Sequence, residues 1–598
     1  MTVEANVPTS EDQIPQWDLS QLYSLDSPAL QNDLAALDRQ AADFSLWRAR
    51  LEQGRPSADE FRELLGALED LTRLAHRLAG FASLAFAQNT QDQKALAFMA
   101  RMDEKMADLG NELLFFEIWW KELPGEEAGP LIAARPDFAY WLSRTRALRP
   151  HTLPEPQERV INLKNSTGSD ALIALYDSIS NRYRFRQDFM PQAGPELTRD
   201  QLMVHVRSAD PAVRAGAYRE LYRVFGQDGP ILGQIYQTRV RDWRIENIRL
   251  RHYERPADVR HKANDLSPAA VEALLNCTRR NISLFGDFFR LKARVLGLGE
   301  QLRRYDLYAP LTADRASIDF SEGLSEVLKA FKNFSPRFAD LASRILAEKR
   351  FSARPGAGKQ GGAFCYSMLP ADSPWVLMTY NGRRQDLFTM AHELGHAVHS
   401  QLAAEHNVFH FHATLPLAET ASTFGEMLLA DRLRRSPGSA GERADLLFNL
   451  LDDAYATVGR QAFFAFFEIR AHEMIEAGAT VDELAEAYLE NLALQFGDAV
   501  TIADEFRWEW VSIPHIFHTP FYVYAYSFGQ LLVYSLWRQY QAEGPAFVPR
   551  LTALLARGGS APPEEILAES GLGPLDENFW QGGFEVIRSL LDELKLAL

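Results

Sequence analysis

From Ser57 the chain reads SADEFRELLGALEDLTRLAHRLAGF, a stretch compatible with one local structure. Phe61, Leu64, Leu65, Leu68, Leu71 and Leu74 recur three and four residues apart. That spacing lines one face of a helix and would scatter over both faces of a strand. Ser57 followed by Glu60 is the pattern of a capping box, in which each side chain satisfies a backbone N–H of the other's residue. Similar helix starts recur at Asp26-Ser27-Pro28, at Thr198 to Gln201 and at Ser267-Pro268. A chain punctuated in this way is expected to be mainly α.

The β signal is confined to GAFCYSML (362–369), the turn residues PADSP, and WVLMTY (375–380), which predict a hairpin just ahead of a histidine-rich helix. Glycine-rich RPGAGKQGGA (354–363) has Gln after its Gly-Lys pair and lacks the glycine spacing of a phosphate loop, so it reads as a surface loop. The proline-containing stretch 187–200 suggests a boundary, giving an N-terminal helical lobe over 1–190 and a second region over 191–598. Phe521 to Trp537 is aromatic and uncharged, but it is shorter than a membrane span and holds Ser, Gly and Gln; it reads as protein interior.

With 63 basic and 80 acidic residues among 598, the net charge of −17 repels phosphate backbones and anionic lipid, which argues against nucleic acid or membrane as partner. Two cysteines cannot build a disulfide framework or a thiolate zinc site, and the first residues show no basic-then-apolar leader pattern. A reducing, cytoplasmic setting is expected.

The chemistry concentrates in TMAHELGHAVHS (389–400). Residues four apart on a helix project from one face, so His392 and His396 are spaced to hold one metal ion, with Glu393 beside the open position. A chain with 14 histidines can show this pattern by accident, so context matters. Gly395 costs about 1 kcal/mol of helix propensity relative to Ala, which suggests that something approaches its bare backbone. A third ligand is then needed. Glu419 is the preferred candidate, in the first turn of a helix expected to begin near Pro416; His410 and His412 are the alternatives, and Glu405 follows His396 too soon. Glu426 and Asp386 are candidates for fixing an imidazole N–H.

Three stretches, WVLMTYNGRRQDLFTMAHELGHAVHS, LPLAETASTFGE and IPHIFHTPFYVYAYSFGQLL, in this order, together with the early WDLSQLY, resemble the thimet-oligopeptidase-like zinc metallopeptidases, and within them the oligoendopeptidase F group. The resemblance covers the C-terminal two-thirds of the chain. It implies a two-lobed helical fold with a deep substrate channel, a small hairpin near the active site that can pair with an extended peptide, and one Zn2+ per chain held by His392, His396 and Glu419. It implies hydrolysis of internal bonds of oligopeptides by a metal-activated water with Glu393 as general base. The third stretch is implied to face the metal, so that His515, Tyr522, Tyr524 and Tyr526 are candidate donors to the developing oxyanion, His515 and Tyr526 foremost and His518 less so. The spacing from His515 to the tyrosines differs from that of thimet oligopeptidase itself, so the segment is assigned rather than a single phenol. The alternatives are a peptidyl carboxypeptidase, with Arg383 and Arg384 capturing a terminal carboxylate, and a non-catalytic peptide-binding scaffold. Ligand type points to zinc, although cobalt or manganese can support such a site.

Overall fold

The computed structural model describes residues 14–190, 194–312, 317–436 and 439–598. Helices dominate it, and they begin where the capping signals predict. Ser57 and Glu60 form the reciprocal box that opens Ala58–Gln88, a helix that buries Phe61, Leu64, Leu65, Leu68 and Leu71 and partly buries Leu74. Ser27 caps Pro28–Ser45, Thr198 and Gln201 open Arg199–His205, and Ser267 caps Pro268–Asn281. The Phe521–Trp537 run enters the helix Tyr524–Glu543, whose Leu531, Leu532, Val533 and Leu536 are buried. Among the described residues no helix is long and apolar enough to cross a membrane.

The chain divides into two compact units, each assembled from three stretches: Met1–Glu155, Asp314–Leu433 and Glu543–Leu572 in the first, and Pro156–Ala313, Arg434–Ala542 and Gly573–Leu598 in the second. The boundary expected at 190/191 falls on residues 191–193, outside the described residues, and the N-terminal stretch 1–13, expected to hold no leader, also lies outside them. Five short strands among the described residues form two sheets. In the second unit β1 (Leu302–Arg303) pairs in parallel with β5 (Val500–Thr501). In the first unit β2 (Phe351–Ser352), β3 (Phe364–Tyr366) and β4 (Trp375–Leu377) lie in the order β2-β4-β3.

β3 and β4 are the expected hairpin, antiparallel with Phe364 opposite Leu377 and Tyr366 opposite Trp375. The ladder is shorter than the apolar runs, and Met368, just beyond it, packs on Gly80, where a Cβ would lie 2.5 Å from its Cγ and Sδ. Trp375 and Leu377 thereby join the core built by Leu30, Leu34, Phe61, Phe116 and Trp120. Trp17 meets Trp375 edge-on at 6.1 Å, Tyr23 meets Phe81 at 5.3 Å, and the Asp18 N–H donates to the Lys349 carbonyl at 2.9 Å. The early WDLSQLY stretch is therefore a structural strap that fixes the sheet onto the first helices. The glycine-rich loop is likewise structural: Lys359 donates to the carbonyls of Ser352, Arg354 and Met378 at 3.2, 3.0 and 2.6 Å.

Candidate active site

In the first unit, the helix Arg384–Leu402 carries His392, Glu393 and His396. The four-residue spacing brings the two imidazoles edge-to-face, with ring centroids 4.8 Å apart and the Nε2 atoms 3.2 Å apart. Glu419 meets them from the following helices: its Oε2 lies 3.2 Å from His392 Nε2 and 3.3 Å from His396 Nε2. Among the described residues this is the one group of three His, Cys, Asp or Glu whose ligand atoms all lie within 4.8 Å of one another.

Glu419 is not in the first turn of a single helix begun near Pro416. The one-turn helix Leu415–Ala418 stops at Glu419, and a second helix, Thr420–Arg435, starts after it. The break turns the carboxylate toward the histidines, and the Ser422 hydroxyl holds it by donating to Oε2 at 2.8 Å. The approach of the two helices explains Gly395. A Cβ there would lie 2.5 Å from the Ala421 carbonyl oxygen and 2.6 Å from the Ser422 Cα, so a side chain would push the ligand-bearing backbones apart. Gly425 does the same from the other side, with the Ala391 carbonyl oxygen 2.8 Å from where its Cβ would be.

Of the two carboxylates expected to orient an imidazole, Glu426 does so: its Oε1 lies 2.6 Å from His392 Nδ1, leaving Nε2 to face Glu419 and His396. Asp386 instead accepts the backbone N–H groups of Asn381 and Arg383 at 2.7 and 3.0 Å and closes the N-terminus of the histidine helix. His410 accepts the Trp141 N–H at 3.0 Å in a buried position, and His412 and Glu405 are exposed, so none of these joins the cluster.

Burial disfavours charge on His392, yet the bonds to Glu419 and Glu426 outweigh it and hold the imidazole at about 11 without a metal. Burial likewise works against charge on Glu419, and the two imidazoles hold it well below the usual carboxylate range. Glu393 is 5% exposed, and its Oε2 has no hydrogen-bond partner among the described residues. Burial pushes its carboxyl up, against the pull of His392 and His396. Two imidazole nitrogens and one carboxylate oxygen are a donor set that zinc takes, with room for a water. The residues present fit that ion.

In the second unit, Pro514–His518 is a one-turn helix with Pro514 at its start, followed by a turn into Tyr524–Glu543. Tyr526 Oη lies 3.3 Å from His515 Nε2, the Tyr522 and Tyr526 rings stand edge-to-face at 5.2 Å, and the Tyr522 and His515 rings are nearly parallel at 6.2 Å. These three form one cluster, and burial keeps the His515 imidazole toward its neutral form. Tyr524 does not belong to it. Two residues along a helix turn the side chain about 200°, so Tyr524 points away from Tyr526. Its hydroxyl sits in the core 2.8 Å from Asn264 Nδ2 and 3.0 Å from His261 Nδ1. His518 Nε2 pairs with Asp177 at 2.8 Å.

The family model of peptidase family M3 matches residues 204–586, and that of Oligopeptidase F matches 122–185. The plasmid-borne oligoendopeptidase F of Lactococcus lactis subsp. cremoris is 23% identical over 609 residues, covering 98% of this chain and 98% of its own. A crystal structure from Chlamydophila abortus superposes with a TM-score of 0.86 at 22% identity over 100% of both chains. That of oligoendopeptidase-F from Enterococcus faecium does so with a TM-score of 0.72 at 21% identity, over 96% of this chain and 99% of that one. The fold is shared with both.

Proposed function

From the premise that this chain belongs to peptidase family M3, and is therefore a metallopeptidase, we propose that it cuts internal bonds of oligopeptides with zinc held by His392, His396 and Glu419. The observation that carries this reading is the meeting of three donor atoms beside a buried carboxylate that has an oxygen to spare. Zinc bound there would acidify a water and polarise the scissile carbonyl.

The chain's own groups supply the rest. Glu393 takes the proton from the attacking water on its free oxygen and delivers it to the leaving amine; burial raises its basicity for the first transfer. Glu426 keeps His392 in the tautomer that presents Nε2. The family resemblance assigns the oxyanion donors to the segment of His515, Tyr522 and Tyr526, His515 and Tyr526 foremost, and these three side chains cluster within the second unit. The edge strand β3, paired on one side only, offers its free edge to an extended peptide. Oligopeptides are favoured as substrates by the Lactococcus relative, which bears the name oligoendopeptidase F along nearly its whole length. A reducing cytoplasm suits Cys277 and Cys365, both free.

The test is hydrolysis of an internally quenched peptide blocked at both ends, with and without chelator, followed by zinc add-back and mass spectrometry of the products. Internal cleavage that chelator abolishes and zinc restores is the expected result. Cleavage only from an unblocked C-terminus would reassign the enzyme as a peptidyl carboxypeptidase.

A further inference from the structure

The turn between His515 and Tyr526 contains a backbone conformation that its sequence disfavours. Phe521 has φ +57°, in the left-handed region where a bulky aromatic residue costs about 1–3 kcal/mol. It is 2% exposed and sits between Pro520 and Tyr522. Something must hold it there.

The group that meets it is Glu468, on the helix Arg460–Glu476. Its Oε1 accepts the Phe521 N–H at 2.8 Å, the side chain is 0% exposed, and Oε2 has no hydrogen-bond partner among the described residues. A carboxyl buried so completely, with one oxygen unsatisfied, is costly to the fold. His472, one turn along the same helix, places its ring 4.5 Å from the Phe521 ring. The flanking carbonyls are also held from the core: Arg239 Nε donates to that of Phe517 and Arg260 Nε to that of Pro520, each at 3.3 Å.

We propose that Glu468 is a positioning residue: by accepting the Phe521 N–H it holds the left-handed turn that sets Tyr522 and Tyr526 beside His515. The proposal rests on the reading that this segment supplies the oxyanion donors. Glu468 touches none of those side chains; it acts through the backbone of Phe521. Burial pushes its carboxyl up to about 8, against the Phe521 N–H and Arg260, so near neutrality it is largely a neutral acid whose carbonyl oxygen still accepts. An amide reproduces that acceptor, whereas a hydrocarbon of similar volume keeps the packing and removes it.

The experiment compares Glu468→Gln and Glu468→Leu in the full-length zinc enzyme, with Glu468→Met replacing the latter if the branched side chain prevents folding. Glu468→Leu is expected to lower kcat at least about tenfold with KM within about twofold, because the Phe521 N–H loses its acceptor and the turn is no longer held. Glu468→Gln is expected to keep most of kcat. A Leu or Met variant with wild-type kcat, or a Gln variant as impaired as the Leu variant, overturns the proposal. His515→Ala and Tyr526→Phe are measured in parallel. If they also turn over normally, the donor assignment fails and the proposal with it; if they are slow while Glu468→Leu is not, the proposal alone fails.

Discussion

The helix pair that carries His392, His396 and Glu419 and the segment from Pro514 to Tyr526 bring chemical groups together by different means. In the first, a four-residue helical period aligns two imidazoles, and a break between two helices, brought close by a glycine, delivers the carboxylate. In the second, a one-turn helix, a left-handed phenylalanine and the start of another helix determine which phenol meets the imidazole. Position follows from periodicity in one case and from non-local hydrogen bonds in the other. A sequence therefore reveals the first site to the residue and the second only to the segment.

The strongest test of this contrast is Glu393→Gln. If helix geometry alone places the ligands, zinc stoichiometry stays at wild type while kcat falls by about 10²–10⁴-fold, the usual worth of a positioned base. Metal analysis beside steady-state kinetics decides, and loss of zinc would show that Glu393 belongs to the ligand set. Next come the tyrosines. Tyr526→Phe is expected to lower kcat by about 10²–10³-fold, as removal of one oxyanion donor does elsewhere. Tyr524→Phe should leave kcat near wild type and cost about 1–3 kcal/mol in denaturant unfolding, because the buried Asn264 amide loses its acceptor. Equal kinetic effects at the two positions would erase the distinction between a functional and a packing phenol.

Within the helix pair, Glu426→Gln weakens the hold on His392 Nδ1 and is expected to reduce zinc affinity by about 10- to 100-fold, read by competition with a fluorescent chelator. An unchanged affinity would mean that the backbone alone aims the imidazole. The smallest effect is a proton. With His392 held at about 11 by Glu419 and Glu426 and required neutral as a ligand, zinc binding at pH 8 should expel about one proton, and apparent affinity should rise with pH up to about 11. Calorimetry in two buffers of different ionisation heat measures it, and a heat independent of buffer would contradict it.

The sequence carries much of the fold because its signals are local. Ser57 and Glu60, Ser27 before Pro28 and Thr198 with Gln201 each start a helix with residues only a few positions apart. The β3–β4 hairpin was legible for the same reason. β2 was not: two residues, Phe351 and Ser352, carry no period, and their strand exists only because β4 lies alongside. Glu426 was a candidate from its place seven residues after Glu419, but the choice between it and Asp386 needed the contact itself. Tyr524 was grouped with its neighbours because a motif lists residue types without directions; a start-of-helix register, set by the turn at Phe521, sends it inward. Glu468 had no signal at all, being one of three glutamates in its helix, with a partner 53 positions away.

The contact at Gly395 also bears on how the site fails. The place where a side chain at 395 would start is already taken up by the Ala421 carbonyl oxygen and the Ser422 Cα, so any larger residue there must move the backbone next to Glu419. On the zinc reading proposed above, enlarging Gly395 would be felt first as lost metal retention, because the residue displaced is a ligand and not part of the core.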